Sequence, residues 1–199
     1  MSAIARNLMQ KGAAIKLMTK PSDITAPEKL TPEHNISAFD SGVSQLDDWL
    51  KRRAFANEES GASRTYVVSS GGRVVGYYAL ANGAVAHREV TGKVRRNMPE
   101  PIPVMVLGRL AIDQTFQGRH LGASLVRDAI LRTVQAADIA GIRAILVHAF
   151  SEDAKKFYER CGFAPSPVDP MTLMITIADA EKALLPINAL NNYYSQALA

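Results

Sequence analysis

At 199 residues, with 47% hydrophobic and 21% charged side chains, the chain suits one globular domain with tails and excludes a two-domain or low-complexity protein. No apolar run approaches a membrane span, the N-terminus lacks an apolar signal core, and the lone Cys161 excludes an internal disulfide and a cysteine-built metal cluster, so a reducing cytoplasm is the simplest location. The net charge of +4 is unevenly spread, because the segment from Lys51 to Arg96 is +6 and the remainder −2. A polyanionic partner such as RNA and a plain solvated face both fit that surplus.

In chain order, residues 1–24 are weakly patterned and read as a flexible extension, and residues 25–178 as the folded domain. Ser44 followed by Asp47 predicts a capping-box start for a helix whose apolar stripe is Leu46, Trp49 and Leu50. Lys51, Arg52 and Arg53 follow that stripe. The runs from Arg64 and from Arg73, joined by Gly71-Gly72, predict a tight β-hairpin. Residues 87–97 form a polar, basic stretch with Arg88, Lys93, Arg95 and Arg96, in which His87 reads as a loop residue. Pro99, Pro101 and Pro103 then predict a stiff, extended lead-in to a central strand.

The chain is organised around residues 104–126. Val104, Val106, Leu110 and Ile112 read as a buried strand. Gln117, Gly118, Arg119, His120, Leu121, Gly122 and Ala123 stand where a helix begins. The first N–H groups of a helix have no intrahelical partner and carry partial positive charge, small residues let a phosphate approach them, and Arg119 adds a full charge. On this loop alone a pyrophosphate site and a plain surface connection are equally open. G-x-G-x-x-G and G-x-x-x-x-G-K-[ST] are both absent, which argues against a dinucleotide fold and a P-loop NTPase. The helix ends at Gly141, a strand with His148 follows, Ser151 caps a short helix containing Tyr158, and residues 171–177 make a last strand before a tail over 179–199. His148 reads as a satisfied core histidine, Tyr158 as a core aromatic between Phe157 and Phe163, and Cys161 as packing. Arg109 reads equally as a substrate contact or a paired structural charge.

Gln117-Gly-Arg-His-Leu-Gly122-Ala resembles the Q/R-x-x-G-x-G/A loop of GNAT acetyltransferases, with His120 in place of the middle glycine. Histidine is among the non-glycine residues that adopt positive φ at lower cost. Phe157-Tyr-Glu-Arg-Cys-Gly-Phe163 resembles the F-Y-x-x-x-G-F ending of the same superfamily. The resemblance implies an α/β GNAT fold, a mixed sheet flanked by helices. Residues Phe39-Asp-Ser-Gly, Leu46-Asp-Asp-Trp-Leu, Gly61-Ala-Ser-Arg-Thr-Tyr, Gly76-Tyr-Tyr-Ala-Leu-Ala and Arg95-Arg-Asn-Met-Pro-Glu-Pro narrow it to the GNAT toxins of bacterial toxin–antitoxin pairs.

That resemblance implies an acetyl-CoA-dependent N-acetyltransferase, metal-free, that acetylates the α-amino group of aminoacyl-tRNA and blocks translation. The alternatives are a GNAT acting on a small amine or protein N-terminus, and a non-catalytic CoA- or antitoxin-binding autoregulator. The resemblance further implies a cytoplasmic homodimer, neutralised by a ribbon-helix-helix antitoxin and reaching operator DNA only through it. It makes Tyr158 the acid that protonates the leaving thiolate. Leu110, Ala111, Ile112 and the loop from Gln117 to Ala123 become the acetyl-CoA contacts, and Gly108 a bulge that splays two strands. Lys51, Arg52, Arg53, Arg64, Lys93, Arg95, Arg96 and Arg109 become candidate tRNA contacts.

Overall fold

The computed structural model describes residues 24–184. The extension expected over residues 1–24 therefore lies outside the described residues up to position 23. From there a seven-stranded sheet runs in the order β1-β2-β3-β4-β5-β7-β6, with β4 and β5 as its one parallel pair. Its strands are β1 (Glu28–Lys29), β2 (Arg64–Ser70), β3 (Arg73–Val85), β4 (Ile102–Ile112), β5 (Ala144–His148), β6 (Ala164–Pro165) and β7 (Thr172–Thr176). The hairpin expected at Gly71-Gly72 is present, with φ of +57° and +77° at the two glycines, a turn that only such residues make cheaply.

The helices are α1 (Ser44–Arg52), α2 (Ala54–Ser60), α3 (Gly92–Arg95), α4 (Leu121–Ala140) and α5 (Glu152–Arg160). On the first face of the sheet, α4 and α5 bury Leu125, Val126, Ile130 and Tyr158 against Leu107, Ile145 and Val147. On the second face, α1 and α2 bury Leu50 and Ala54 against Val67, Val74, Tyr77 and Ala111. Beside them the polar stretch of residues 87–97 folds down as a 3₁₀ turn (His87–Glu89) and α3, burying Val90 and Val94 over Ile102, Val104, Ala144 and Leu146. The Arg143 guanidinium donates to the carbonyls of Lys93 and Val94 at 2.9 and 3.0 Å and satisfies the end of that short helix.

Three expectations change. Ser44 does not cap α1: the N-cap is Val43 without a side-chain bond, and the Asp47 carboxylate accepts instead from the Ser41 N–H and hydroxyl at 3.0 and 2.7 Å. Val104 and Val106 do not share a face with Leu110 and Ile112. In the β3–β4 ladder Leu80 pairs with Leu107 and Ala79 with Arg109, so Gly108 is an extra, bulged residue. One inserted residue inverts every side chain beyond it, sending Leu110 and Ile112 to the first face and Ala111 to the second. Of the tail expected over residues 179–199, the described part is not a tail, because residues 177–184 are helical and Ala180 and Leu184 are buried in the first-face core; residues 185–199 lie outside the described residues.

If that last helix belongs to the domain, Leu184→Ala leaves a cavity and lowers unfolding free energy by about 2–5 kcal/mol. Urea titration followed by circular dichroism measures it. A surface tail would shift stability by no more than about 0.5 kcal/mol.

Candidate active site

β4 pairs with β5 only from Val104 to Leu107, and β3 stays paired to β4 as far as Ile112. Beyond Leu107 the strands part, and the main-chain groups of residues 108–112 that point to the β5 side lose their ladder partners. Arg109 Nη1 donates to one of them, the Gly108 carbonyl, at 2.6 Å. The expected bulge glycine thus stands at the mouth of the fork.

The loop after β4 is anchored before it reaches the helix. Asp113, 2% exposed, accepts from the Thr115 N–H and hydroxyl at 3.0 and 2.6 Å and from Arg73 at 3.2 Å. The Gln117 side-chain amide donates to the Ser41 and Ile112 carbonyls, both at 2.9 Å, tying the loop to the segment before α1 and to the strand end. Gln117 therefore holds the loop's shape through side-chain bonds within the protein.

Gly118 has φ of +74°, and His120, the N-cap of α4, takes the left-handed conformation at φ +61°, ψ +7°. The substitution of histidine for the family glycine thus keeps the glycine-like backbone, as its tolerance of positive φ predicts. No side chain caps this helix end, so the first N–H groups of α4 face outward with the positive end of the helix dipole behind them. A Cβ on Gly122 would stand 3.4 Å from the Phe157 ring, at the edge of ordinary van der Waals contact.

A cleft of about 560 Å3 lies over this helix end, lined by Gln117, Gly118, His120, Gly122, Phe157 and Arg160. A neighbouring cleft of about 380 Å3 shares Ile112, Gln117, Gly122 and Phe157 with it and adds Leu110, Ala111, Leu46 and Phe150. The two make one trough from the helix N-terminus to the fork, mostly apolar along its length, with the first N–H groups of α4, His120 and Arg160 gathered at one end, within the size range of ligand sites. A molecule with phosphates at one end and a long flexible arm at the other fits that arrangement. Among the described residues, no group of three His, Cys, Asp or Glu side chains could hold a metal ion.

Of the loop residues expected to meet phosphate, Arg119 is the one the structure turns away. Its guanidinium lies over the Phe116 ring at 4.9 Å and does not line the cleft, because stacking on an adjacent aromatic holds it there. Arg160 lines the cleft instead, a residue the sequence reading missed. The signal was present: Arg160 is three residues from Phe157, so one face of α5 carries both. Phe150, 66% exposed, and Leu46 were missed as walls because they lie far from the loop in sequence.

The Tyr158 ring is buried, edge-on to Phe157 and Phe163 with centroids 5.1 and 5.7 Å away. The core-aromatic reading is thus correct for the ring. The ring belongs to the cluster that includes Leu107 and Val147, the last paired residues before the fork. Burial, with a smaller contribution from Cys161, pushes the hydroxyl pKa above its ordinary value, so the group stays protonated. Its oxygen is not among the buried side-chain atoms left without a partner. Cys161 is half-buried in the wall of the larger cleft, and burial likewise raises its thiol pKa. His148 lies in a strand as expected but is exposed, and not a core residue.

The basic candidates divide. Lys51, Arg52 and Arg53 lie on or beside α1, and Lys93, Arg95 and Arg96 on or beside α3, the two segments that cover the second face; all six are exposed. Lys93 also meets Asp179 at 2.7 Å, and Arg52 meets Asp48 at 3.4 Å. Arg64 is engaged locally, donating to the Glu58 carbonyl at 2.9 Å. Arg109 has no carboxylate partner among the described residues and stands over the Trp49 ring at 5.8 Å, which removes the paired-charge alternative.

A splayed parallel pair with an uncapped helix end at its head defines an acyl-CoA-binding acyltransferase fold. Residues 61–165 match the model of the acetyltransferase (GNAT) domain, and the chain belongs to the GNAT acetyltransferase family. Within that family it resembles toxins. It is 52% identical over 159 residues to the tRNA-acetylating toxin of Mycobacterium tuberculosis, covering 80% of this chain and 96% of that protein. The solved complex of AtaT with acetyl-methionyl-tRNAfMet superposes with a TM-score of 0.74 at 29% identity, over 80% of this chain and 98% of that one. A tyrosine-to-phenylalanine variant of the AtaT toxin, bound to the C-terminus of its antitoxin AtaR and to acetyl-CoA, gives 0.69 at 28% identity, over 80% and 96%.

Two substitutions test the polar end of the trough by calorimetry with acetyl-CoA. Arg160→Ala removes a charge-assisted contact and weakens binding by about 1.5–3 kcal/mol, roughly 10- to 100-fold, while Arg119→Ala changes it little. The opposite ranking would return the phosphate contact to Arg119.

Proposed function

We propose that this chain is an acetyl-CoA-dependent N-acetyltransferase toxin that acetylates the α-amino group of aminoacyl-tRNA and so stops translation. The observation that carries the reading is the single trough that joins the uncapped N-terminus of α4 to the fork between β4 and β5. The pyrophosphate of acetyl-CoA lies against the N–H groups of Leu121, Gly122 and Ala123, with Gly118, His120 and Arg160 around it. Its arm follows Leu110, Ala111 and Ile112, where the freed main-chain groups of β4 take the place of a lost strand partner. The thioester then lies at the fork.

A free α-amine has a pKa of about 7.7–8.0, and an ester next to it lowers that, so part of the acceptor is neutral near pH 7. The departing thiolate needs a proton. Tyr158 supplies it: its raised pKa keeps the hydroxyl protonated at every working pH, and a donor held in a low-dielectric surrounding acts more strongly than one in water. The transfer is completed because the amine nitrogen gives up a proton in the same reaction.

The acceptor approaches across the second face, where Lys51, Arg52, Arg53, Lys93, Arg95, Arg96 and Arg109 supply phosphate contacts. Arg64, bonded to α2, adds field more than contact. The solved complexes of the relatives, and the tRNA-acetylating relative from Mycobacterium tuberculosis, support both the acceptor class and an antitoxin partner. We extend this to a homodimer, to a ribbon-helix-helix antitoxin that carries the pair to operator DNA, and to action in the cytoplasm, where charged tRNA is found. The non-catalytic alternative rested on His120, whose backbone takes the left-handed conformation open to glycine and gives that alternative no support.

Two measurements check the proposal. Tyr158→Phe keeps the ring packing and removes the proton: acetyl-CoA affinity and melting temperature stay near wild type, while single-turnover acetylation of aminoacyl-tRNA falls about 10²–10⁴-fold. A stable variant that reacts at the wild-type rate would exclude Tyr158 as the acid. For the basic face, the Arg53→Ala, Arg95→Ala, Arg96→Ala triple variant weakens tRNA binding and reduces the slope of log K against log salt by roughly 0.7–0.9 per lost contact. An unchanged slope assigns these residues to solvent or to a protein contact.

A further inference from the structure

A third cavity, of about 360 Å3, opens on the second face of the sheet and has no part in the steps above. Its walls include Val85 of β3, Leu146 and His148 of β5, and Val168, Asp169 and Thr172 at the approach to β7. Alternation along β5 turns Ile145 and Val147 toward Tyr158 on the first face and sends Leu146, and hence His148, to the second. His148 comes one residue after Val147, the last residue of β5 that pairs with β4. The cavity thus reaches the fork from the side opposite Tyr158.

His148 also has a fixed tautomer. Its Nδ1 is 2.8 Å from the Thr172 hydroxyl oxygen, and that hydroxyl lies 2.6 Å from Asp169 Oδ2. The bond from Thr172 holds the Asp169 carboxyl below its ordinary range, so Asp169 is an ionised acceptor and Thr172 donates to it. A hydroxyl has one proton. With it committed to Asp169, the Thr172 oxygen can only accept from His148, which places the imidazole proton on Nδ1. In the neutral ring, Nε2 is then a bare acceptor at the cavity wall.

We propose that this cavity receives the aminoacyl end of the acceptor, and that His148 Nε2 takes the proton its α-amino group loses; the proposal rests on the aminoacyl-tRNA reading above. Val85, Leu146 and Val168 offer apolar surface to the amino-acid side chain. Glu89 and Asp169, on the same wall, draw in the ammonium form, which gives one proton to solvent so that the neutral amine reacts. In the transfer, the amine nitrogen bonds to the acetyl carbon and the carbon–sulfur bond breaks. The nitrogen's proton passes to His148 Nε2 on one face of the sheet, and the sulfur takes a proton from the Tyr158 hydroxyl on the other. Imidazolium and phenolate then reset through solvent, with no net change in protons.

The test uses the full chain, acetyl-CoA and aminoacyl-tRNA. In His148→Asn the amide nitrogen keeps the bond to Thr172 but the Nε2 position is lost. Single-turnover acetylation at saturating acetyl-CoA falls about 10²–10⁴-fold, with acetyl-CoA affinity and melting temperature unchanged. Val168→Trp fills the cavity from its exposed rim and acts mainly on KM for aminoacyl-tRNA, raising it at least about tenfold. If wild type acetylates aminoacyl-tRNA and both variants match it within about threefold, the cavity proposal is overturned and the aminoacyl-tRNA reading stands. If wild type acetylates no aminoacyl-tRNA, that underlying reading is the one that falls.

Discussion

The parting of β4 from β5 after Leu107 and Val147 is the constraint on which the rest depends. A parallel pair that separates leaves main-chain donors and acceptors without partners, and such groups are costly to bury unmatched. The protein offsets this in two ways. It keeps β3 on the other edge of β4 as far as Ile112, so the strand retains one hydrogen-bonded neighbour after losing the other. It also leaves the gap open as a trough, where water or a ligand arm can bond the freed groups. Gly108 is the bulged residue at that point, where β4 shifts register against β3.

The head of the trough is held by a buried carboxylate more than by apolar packing. Asp113 fixes Thr115 and Arg73, the chain at Gln114 donates its N–H to the Asp40 carbonyl at 2.8 Å, and Gln117 reaches Ser41. This joins the end of β4, the start of β3 and the segment before α1 into one support. The N–H groups of α4 are thereby oriented before any phosphate arrives, so little is lost in ordering them on binding. Arg73, counted among the basic surplus, belongs to this support and not to a binding face.

The local signals in the sequence carried the architecture further than the site. Gly71-Gly72, Gly141 and Ser151 mark their turn, cap and helix start because each meets a backbone demand that few residues satisfy. His120 was legible in the same way, since the question was only whether the residue tolerates positive φ. What escaped was set by tertiary placement. The face inversion in β4 follows from a register shift against β3, and no periodicity of β4 alone contains it. Asp47 had two hydroxyl neighbours, and which one it met depended on where α1 docks. Arg119 and Arg160 were both basic and near the loop, but only the packing of Phe116 and Phe157 decides which one reaches the cleft. His148 read as core because its strand is apolar. It is exposed because the covering segment over residues 87–97 leaves that corner of the second face open.

The charge distribution follows the same division of faces. Acetyl-CoA and tRNA are both polyanions, and a single basic surface would bind either one in the wrong place. Toward the trough the chain presents backbone N–H groups with Arg160, a short-range arrangement that recognises a pyrophosphate by shape as much as by charge. Toward the second face it presents full charges on α1 and α3, which act over about 8–10 Å at ordinary ionic strength and suit a large, extended partner. On the proposed function, it is at the fork, where β4 and β5 have separated, that the amine of one polyanion reaches the thioester of the other.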